Sequence, residues 1–311
     1  MSYRSRENAL IGHTGFVGSN LARQRPFDAF FNSKNVHDLA GRHFRLLVCA
    51  GVSAIKWQAN QDPEADWAGI QRLVTALQKT TADRFVLIST VDVYPEPGEP
   101  KDESFDCLAH GNHAYGHNRA RLERIVTDLF ANVHIVRLPA LFGPGLKKNA
   151  IYDLMSDNCL HAVNPAGQFQ WYDIDCLSGD IDTVVGHRLP VANLVPEPLP
   201  LRRLIDARFA EKDIGSEASP AGRYDILTCH SDIFGSPATG YMMGADESYD
   251  RLLYYVDRVK GPRSFHSDNL PKDLKQAIWE AQMTRALRAS RMDPRHGHLD
   301  ALLDDDTAGA G

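Results

Sequence analysis

The sequence predicts an α/β fold: a doubly wound parallel sheet, a smaller mixed α/β substrate lobe that partly returns to the sheet, and a C-terminal helical extension. Three observations carry this. Short apolar runs alternate with helical patterns through the first part of the 311 residues, the order that a parallel sheet requires. The first apolar run, Ala9-Leu10-Ile11, passes directly into glycines at 12, 15 and 18 that open a helix. From about Lys147 the alternation fades into Pro-rich and mixed segments. The expected divisions are 1–146, 147–260 and 261–311.

The opening turn has separate uses for its glycines. Gly12 lets the chain bend off the strand, Gly15 lets backbone approach a pyrophosphate with no Cβ between, and Gly18 lets the helix lie close to the sheet. Thr14, Phe16 and Val17 complete the turn and the helix start, where N–H groups face an anion. The pattern points to a Rossmann-type dinucleotide site. A second strand over 28–33 ends in Asn32-Ser33-Lys34, where an acid would bond the ribose hydroxyls of NAD. Small polar groups and a cation fit a 2′-phosphate instead, so the expected coenzyme is NAD or NADP, inclined toward NADP; a solvated turn is the other reading. The strand 45–51 ends in Ala50-Gly51, small enough for a flat cofactor to lie against the sheet edge. Only about thirty residues separate Gly12 from this strand, so one strand–helix unit is abbreviated.

Asp62-Pro63 opens a helix through Trp67, Ile70, Leu73, Val74 and Leu77. A strand at 84–88 runs on through Ser89-Thr90 to Tyr94, and Pro95, Pro97 and Pro100 make a loop. A helix starts near Tyr115 and continues through Leu122, Ile125, Val126 and Leu129. The strand 133–138 stops at Pro139, and Gly143-Pro144-Gly145 breaks the chain. Beyond it the pattern predicts a helix over 149–155, an apolar run at 169–174, a Pro-rich stretch at 190–200 and a helix through Leu204, Ile205 and Phe209. A helix over 246–259 puts Tyr249, Leu252, Leu253 and Val256 on one face. The extension holds a helix over about 271–291 and an acidic, then Ala/Gly tail expected to be disordered.

A net charge of −6 argues against a nucleic-acid partner, and no apolar run is long enough to span a membrane. Five scattered cysteines with no Cys-x-x-Cys pair read as reduced thiols of a cytoplasmic protein, mostly packing residues. His296-Gly297-His298 reads as a polar tail, and no metal is expected.

Tyr115 and Arg119 lie four apart, on one helix face. A neighbouring cation favours phenolate, which suits Tyr115 as an acid or base on an alcohol or carbonyl. Thr90, at the C-terminal end of its strand, is placed to hold the same oxygen.

These pieces together resemble an extended short-chain dehydrogenase/reductase of the NAD-dependent epimerase/dehydratase family. The matching stretches are Gly12-x-x-Gly15-x-x-Gly18, Cys49-Ala50-Gly51, Ile88 to Tyr94, Tyr115-Gly116-x-x-Arg119, Arg137 to Gly145 and Phe169 to Asp175. The resemblance covers about residues 8 to 260. It implies hydride transfer assisted by Tyr115 and Thr90 on a nucleotide sugar, by epimerisation, dehydration or reduction, with Leu138 among the cofactor contacts and a homodimer through a four-helix interface. It also implies a lysine where this chain has Arg119, which keeps open a catalytically degenerate NAD(P)-binding regulator or scaffold. Asp92 falls where the sugar 4,6-dehydratases carry a proton-abstracting carboxylate; a hydrogen-bonded loop aspartate is the alternative. In the second lobe Asn149, Trp171 and Arg202 (or Arg203) are the substrate candidates, for a diphosphate, for stacking and for phosphate.

Overall fold

The computed structural model describes residues 6–259, and the expected helix at 271–291, the tail and His296-Gly297-His298 lie outside the described residues. Two compact units are present. Of the described residues, the first comprises 6–139 with Arg188–Val195 and Tyr224–Cys229; the second comprises Ala140–His187, Pro196–Arg223 and 230–259.

The first unit begins with β1 (Asn8–Ile11), α1 (Phe16–Gln24), β2 (Ala29–Phe31) and β3 (His43–Cys49). It continues through α2 (Lys56–Gln61), α3 (Pro63–Leu77), β4 (Thr81–Thr90), α4 (Ala114–Leu129) and β5 (Val133–Leu138). The second unit holds β6 (Ala140–Phe142), α5 (Ala150–Ser156), β7 (Gln168–Phe169), β8 (Trp171–Asp173) and α6 (Leu177–Gly186). The chain then returns to the first unit for β9 (Val191–Asn193). The second unit is completed by β10 (Leu199–Pro200), α7 (Leu201–Arg208) and α8 (Ala245–Val259).

Six strands form one sheet in the order β2-β1-β3-β4-β5-β9, and every neighbouring pair is parallel. The order reverses at β1, which makes the carboxyl ends of β1 and β3 the topological switch point. A 3-10 turn at Val36–Leu39 follows β2 where a helix and a further strand would stand, the abbreviation expected from the chain length. β3 is buried over Leu46 to Cys49 and β4 over Phe85 to Leu87, continuous apolar runs of the kind that a sheet covered on both faces requires. Leu47, Phe85, Leu122 and Val126 belong to one core cluster.

Local chemistry sets the helix starts. Asp62 caps α3 by accepting from the Ala65 N–H at 3.0 Å, with Pro63 in the first turn. His113 caps α4, its Nδ1 accepting from the Gly116 N–H at 3.0 Å. α4 is fastened to the sheet by a buried pair: Arg137 of β5 donates through Nη2 to Glu123 Oε2 at 2.6 Å and through Nη1 to the Tyr94 hydroxyl at 2.7 Å. Gly116 allows the close approach of α4 to the loop after β4, since a Cβ there would sit 2.0 Å from the Asp92 carbonyl oxygen.

Three elements go beyond the periodicity. α2 and α6 were not expected, and the Pro-rich stretch 190–200 contains β9, which pairs with β5. The first unit ends at Pro139 rather than after Leu146, because β6 already pairs with β8 of the second unit. The thiols also differ from expectation: Cys49 and Cys107 are buried, each pushed up to about 11 chiefly by burial, whereas Cys159 and Cys229 are exposed. No described helix is long and apolar enough to cross a membrane.

Candidate active site

The glycine turn sits at the carboxyl end of β1. Gly12 has φ +87°, and a Cβ on it would fall 2.3 Å from the Ala50 carbonyl oxygen, so the turn and the end of β3 close on each other only without a side chain. Gly18 lies equally close to the Gly12 carbonyl. Gly15 is the N-cap of α1, exposed, and no side chain caps that helix. Its first-turn amides, those of Phe16, Val17 and Gly18, therefore face outward as donors for an anion. Thr14 is exposed beside them. At the end of β2 no carboxylate stands: Asn32 accepts from the Lys34 N–H at 2.9 Å and Asn35 accepts from the Asn32 N–H at 2.7 Å. That tight turn presents Ser33 and Lys34. Ala50 and Gly51 follow β3, and Leu138 is the buried register partner of Thr90.

Thr90 ends β4 and Tyr115 lies in the first turn of α4. The Thr90 hydroxyl stands beside the phenol and favours its ionised form. The expected direction of the phenol's acidity is reversed. Tyr115 is 7% exposed, and burial pushes its pKa up to about 12; Arg119 and the neighbouring Thr90 hydroxyl draw it back, and the Asp92 carboxylate opposes them.

Arg119 explains part of this. Both its terminal nitrogens are held by Asp66 of α3, at 2.6 and 2.9 Å, and the Ser53 carbonyl takes a further bond at 2.6 Å. The guanidinium carbon stands 3.8 Å from the centre of the Tyr115 ring, over its face rather than at its oxygen. Both members of the ion pair are buried. The guanidinium thus braces the ring while its charge is balanced by Asp66.

Asp92 lies two residues beyond Thr90, whose hydroxyl accepts its N–H at 3.1 Å. Its Oδ1 accepts from Lys56 Nζ at 2.7 Å and from the Tyr224 hydroxyl at 2.9 Å. Lys56 also donates to Tyr224 at 3.2 Å, closing a triangle. His113 adjoins this group. Burial lowers its pKa first, Lys56 lowers it further, and Asp92 acts the other way. Sequence reasoning missed Lys56, Asp66, His113 and Tyr224. Lys56 follows the Ala50-Gly51 strand end, where ligands bind in such sheets, and that position was a usable signal. Tyr224 is 132 residues from Asp92, and nothing local marks it.

The second-unit candidates behave differently. Asn149 caps α5, accepting from the N–H groups of Ile151 and Tyr152 and donating to the Leu141 carbonyl, so its amide is engaged within the fold. Trp171 is 1% exposed and belongs to that unit's core with Phe142, Leu204 and Leu252; stacking needs an open ring face, which core packing removes. Arg202 is exposed, 3.7 Å from Asp206. Arg203 pairs with Asp246 at 2.8 Å.

Residues 32–168 match the profile of the family described as NAD dependent epimerase/dehydratase. No curated protein matches the chain. Solved structures share its fold. A UDP-N-acetylglucosamine 4-epimerase from Methanobrevibacter ruminantium M1, in complex with UDP-N-acetylmuramic acid, has a TM-score of 0.60 at 13% identity, covering 82% of this chain and 98% of that one. The NAD dependent-NDP-hexosamine 5,6-dehydratase TunA, involved in tunicamycin biosynthesis, scores 0.60 at 17% identity, covering 81% and 97%. A dTDP-4-dehydrorhamnose reductase from Bacillus anthracis in complex with NADP scores 0.58 at 16% identity, covering 81% and 99%. At such identities the likeness is one of fold, and the glycine turn lies outside the profile match. Profile, motifs and fold point the same way: over residues 32–168 the chain is similar to the NAD dependent epimerase/dehydratase family.

Proposed function

We propose that this protein is an NAD(P)-dependent epimerase, dehydratase or reductase acting on a nucleotide-sugar-like substrate. The observation that carries the reading is the juxtaposition of Thr90 and Tyr115 at the carboxyl end of β4, on the same sheet edge as the uncapped glycine turn after β1. The turn fits a dinucleotide on this chain's own geometry: Gly12 and Gly18 close it without side chains, and Gly15 leaves the α1 amides open.

In this reading Gly12, Gly15 and Gly18, with the amides of Phe16 and Val17, hold the pyrophosphate. Asn32, Ser33 and Lys34 surround the adenosine ribose, and Lys34 favours NADP. Ala50, Gly51 and Leu138 border the reactive ring, which when bound supplies the hydride acceptor and a positive charge. Thr90 and Tyr115 hold the substrate oxygen, and Tyr115 exchanges its proton with that oxygen. Arg119 keeps the phenol ring in place. In the second unit Arg202, exposed, is the phosphate candidate. The relatives named above bind or act on nucleotide sugars by their titles, which supports that substrate class.

A second reading, a nucleotide-sensing regulator without turnover, is favoured by one observation: the cation at the lysine position is balanced by Asp66. Purified protein examined for nicotinamide absorbance and incubated with NAD or NADP and UDP-, GDP-, CDP- and dTDP-sugars separates them. Product formation supports the enzyme. Coenzyme binding with no product supports the sensor, and no binding of either overturns both. Light scattering of the same sample tests the homodimer included in this reading.

A further inference from the structure

We infer that His113 is a specificity-determining residue: its imidazole, fixed as one tautomer by capping α4, presents an Nε2–H donor to an uncharged sugar in the cleft after β4. The inference rests on the nucleotide-sugar reading above and narrows that substrate class to neutral glycosyl groups, with uronic acids disfavoured. The cap sets the tautomer. Nδ1 accepts from the Gly116 N–H at 3.0 Å, and a ring nitrogen that accepts carries no proton. In the neutral ring the proton therefore sits on Nε2. Burial first, then Lys56, holds the pKa below the ordinary 6.5; Asp92 acts the other way, and Arg119 adds to the lowering. Among the described residues Nε2 has no hydrogen-bond partner, and it is not sealed in the interior. Capping needs one acceptor, which Asn or Ser also supplies; the second nitrogen is what histidine adds.

The ring is held from both sides in the chain. Before it, Asn112 donates to the Asp92 and Val93 carbonyls, both at 2.9 Å, and accepts from the His113 N–H at 2.7 Å. After it, Gly116 seats the first turn of α4 against the Asp92 carbonyl. The ring centres of His113 and Tyr115 stand 6.3 Å apart, so the donor lies in the neighbourhood of the phenol. A donor fixed in this way loses little freedom when it meets a ligand.

Pro95, Glu96, His110, Gly111, Asn112 and His113 line an open cleft of about 540 Å³, built from the loop between β4 and α4 within the first unit. Its chemistry matches a polyhydroxylated ring. His113 donates to a hydroxyl oxygen, and the exposed Glu96 carboxylate accepts from hydroxyl groups. The Asn112 amide is engaged within the loop. No lysine or arginine stands among the residues that line the cleft. Lys56, which acts on His113 electrostatically, is paired with Asp92 at 2.7 Å. A sugar carboxylate placed here meets Glu96 with no cation of the cleft to offset it, whereas a neutral hexose brings no such repulsion.

The test uses the full chain as wild type, His113→Asn and Glu96→Gln. Asparagine keeps a cap acceptor and lacks the second nitrogen, so His113→Asn is expected to melt within a few degrees of wild type. Calorimetry without coenzyme, which reads binding apart from turnover, compares UDP, dTDP and GDP, each free, as its glucose ester and as its glucuronic acid ester. His113→Asn is expected to weaken the glucose ester by about tenfold and the free nucleotide by less than about twofold. The wild type binds the glucuronic acid ester about tenfold more weakly than the glucose ester, and Glu96→Gln narrows that gap to about threefold. An unchanged glucose ester in His113→Asn, an equal loss for the free nucleotide, or a glucuronic acid ester bound as tightly as glucose overturns the inference while the nucleotide-sugar reading stands. A wild type that binds no glucose ester overturns that reading and this role with it. A ligand-free arm reads the His113 tautomer by long-range proton–nitrogen NMR at neutral pH, assigned with His113→Asn. The expected form carries its proton on Nε2 alone; an Nδ1–H or doubly protonated ring overturns the inference by itself.

Discussion

Arg119 and Asp66 form a two-pronged, buried ion pair, 2.6 and 2.9 Å, that lays the guanidinium over the face of Tyr115. A cation four residues from a phenol on one helix face would ordinarily be read as an aid to ionisation. Here the third partner, supplied by α3, takes the charge and leaves the planar group as a brace.

Asp66→Asn therefore strands a buried guanidinium and is expected to lower stability by about 3–5 kcal/mol. A double variant, Asp66→Leu with Arg119→Met, recovers much of that loss because no charge is left unpaired. Urea unfolding with unchanged m-values checks both. Equal stability of Asp66→Asn and wild type would show that the pair is not formed in solution.

Tyr115→Phe removes the hydroxyl proposed to exchange the proton without changing the packed ring. Turnover is expected to fall by about 100-fold or more, while coenzyme affinity stays within about twofold. Thr90→Val, which removes the hydroxyl beside the phenol, is expected to lower turnover by roughly tenfold. Steady-state kinetics beside a coenzyme titration reads both, and Tyr115→Phe turning over normally would remove Tyr115 from the mechanism.

The glycines of the opening turn are expected to separate by cause. Gly12→Ala meets the Ala50 carbonyl and requires φ +87°, so it costs about 2–5 kcal/mol in folding. For Gly15→Ala φ is −80° and the added Cβ comes no nearer than 3.4 Å, to the Gly12 carbonyl oxygen, so the protein melts within a few degrees of wild type. Its new methyl group stands at the exposed start of α1, and coenzyme binding weakens about tenfold, as calorimetry would register.

Lys34→Ala is expected to lower NADP affinity by about tenfold and NAD affinity little, since only the former carries a phosphate for the ammonium. Fluorescence titration with both reduced coenzymes decides it. Equal losses would place Lys34 away from the 2′ position.

His134 shows how burial enters pH dependence. It is 5% exposed, its Nδ1 lies 2.8 Å from the Leu189 carbonyl, and burial holds its pKa below the ordinary 6.5. Between its folded value and 6.5 the unfolded chain binds more protons than the folded one, so stability falls as pH falls through that window and is flat, for this group, on either side. His134→Gln keeps a donor to Leu189 and removes the titration. Denaturant midpoints measured from pH 7 to pH 5 should decline less in the variant; parallel curves would assign the acid sensitivity elsewhere.

Much of the architecture was readable from order alone. Alternating apolar runs and helical faces, the glycines after β1, the Asp62-Pro63 start of α3 and the shortened unit after β2 are local patterns, and local patterns survive into the fold. That Thr90 and Tyr115 stand near one another was legible too, because strand ends and first helical turns are positions that a sequence marks. β9 was not, since three residues in a Pro-rich stretch become a strand only by pairing with β5.

By itself, then, the sequence determined which residue types stand at the carboxyl ends of β1, β3 and β4 and at the start of α4. Only the tertiary structure decided what their charges do. It gave Arg119 to Asp66, brought Lys56 and Tyr224 onto one oxygen of Asp92, and buried Tyr115 and Trp171. The physical reason is range: backbone periodicity is set by near neighbours, whereas ionisation and exposure depend on groups that the fold delivers from 36 to 132 residues away.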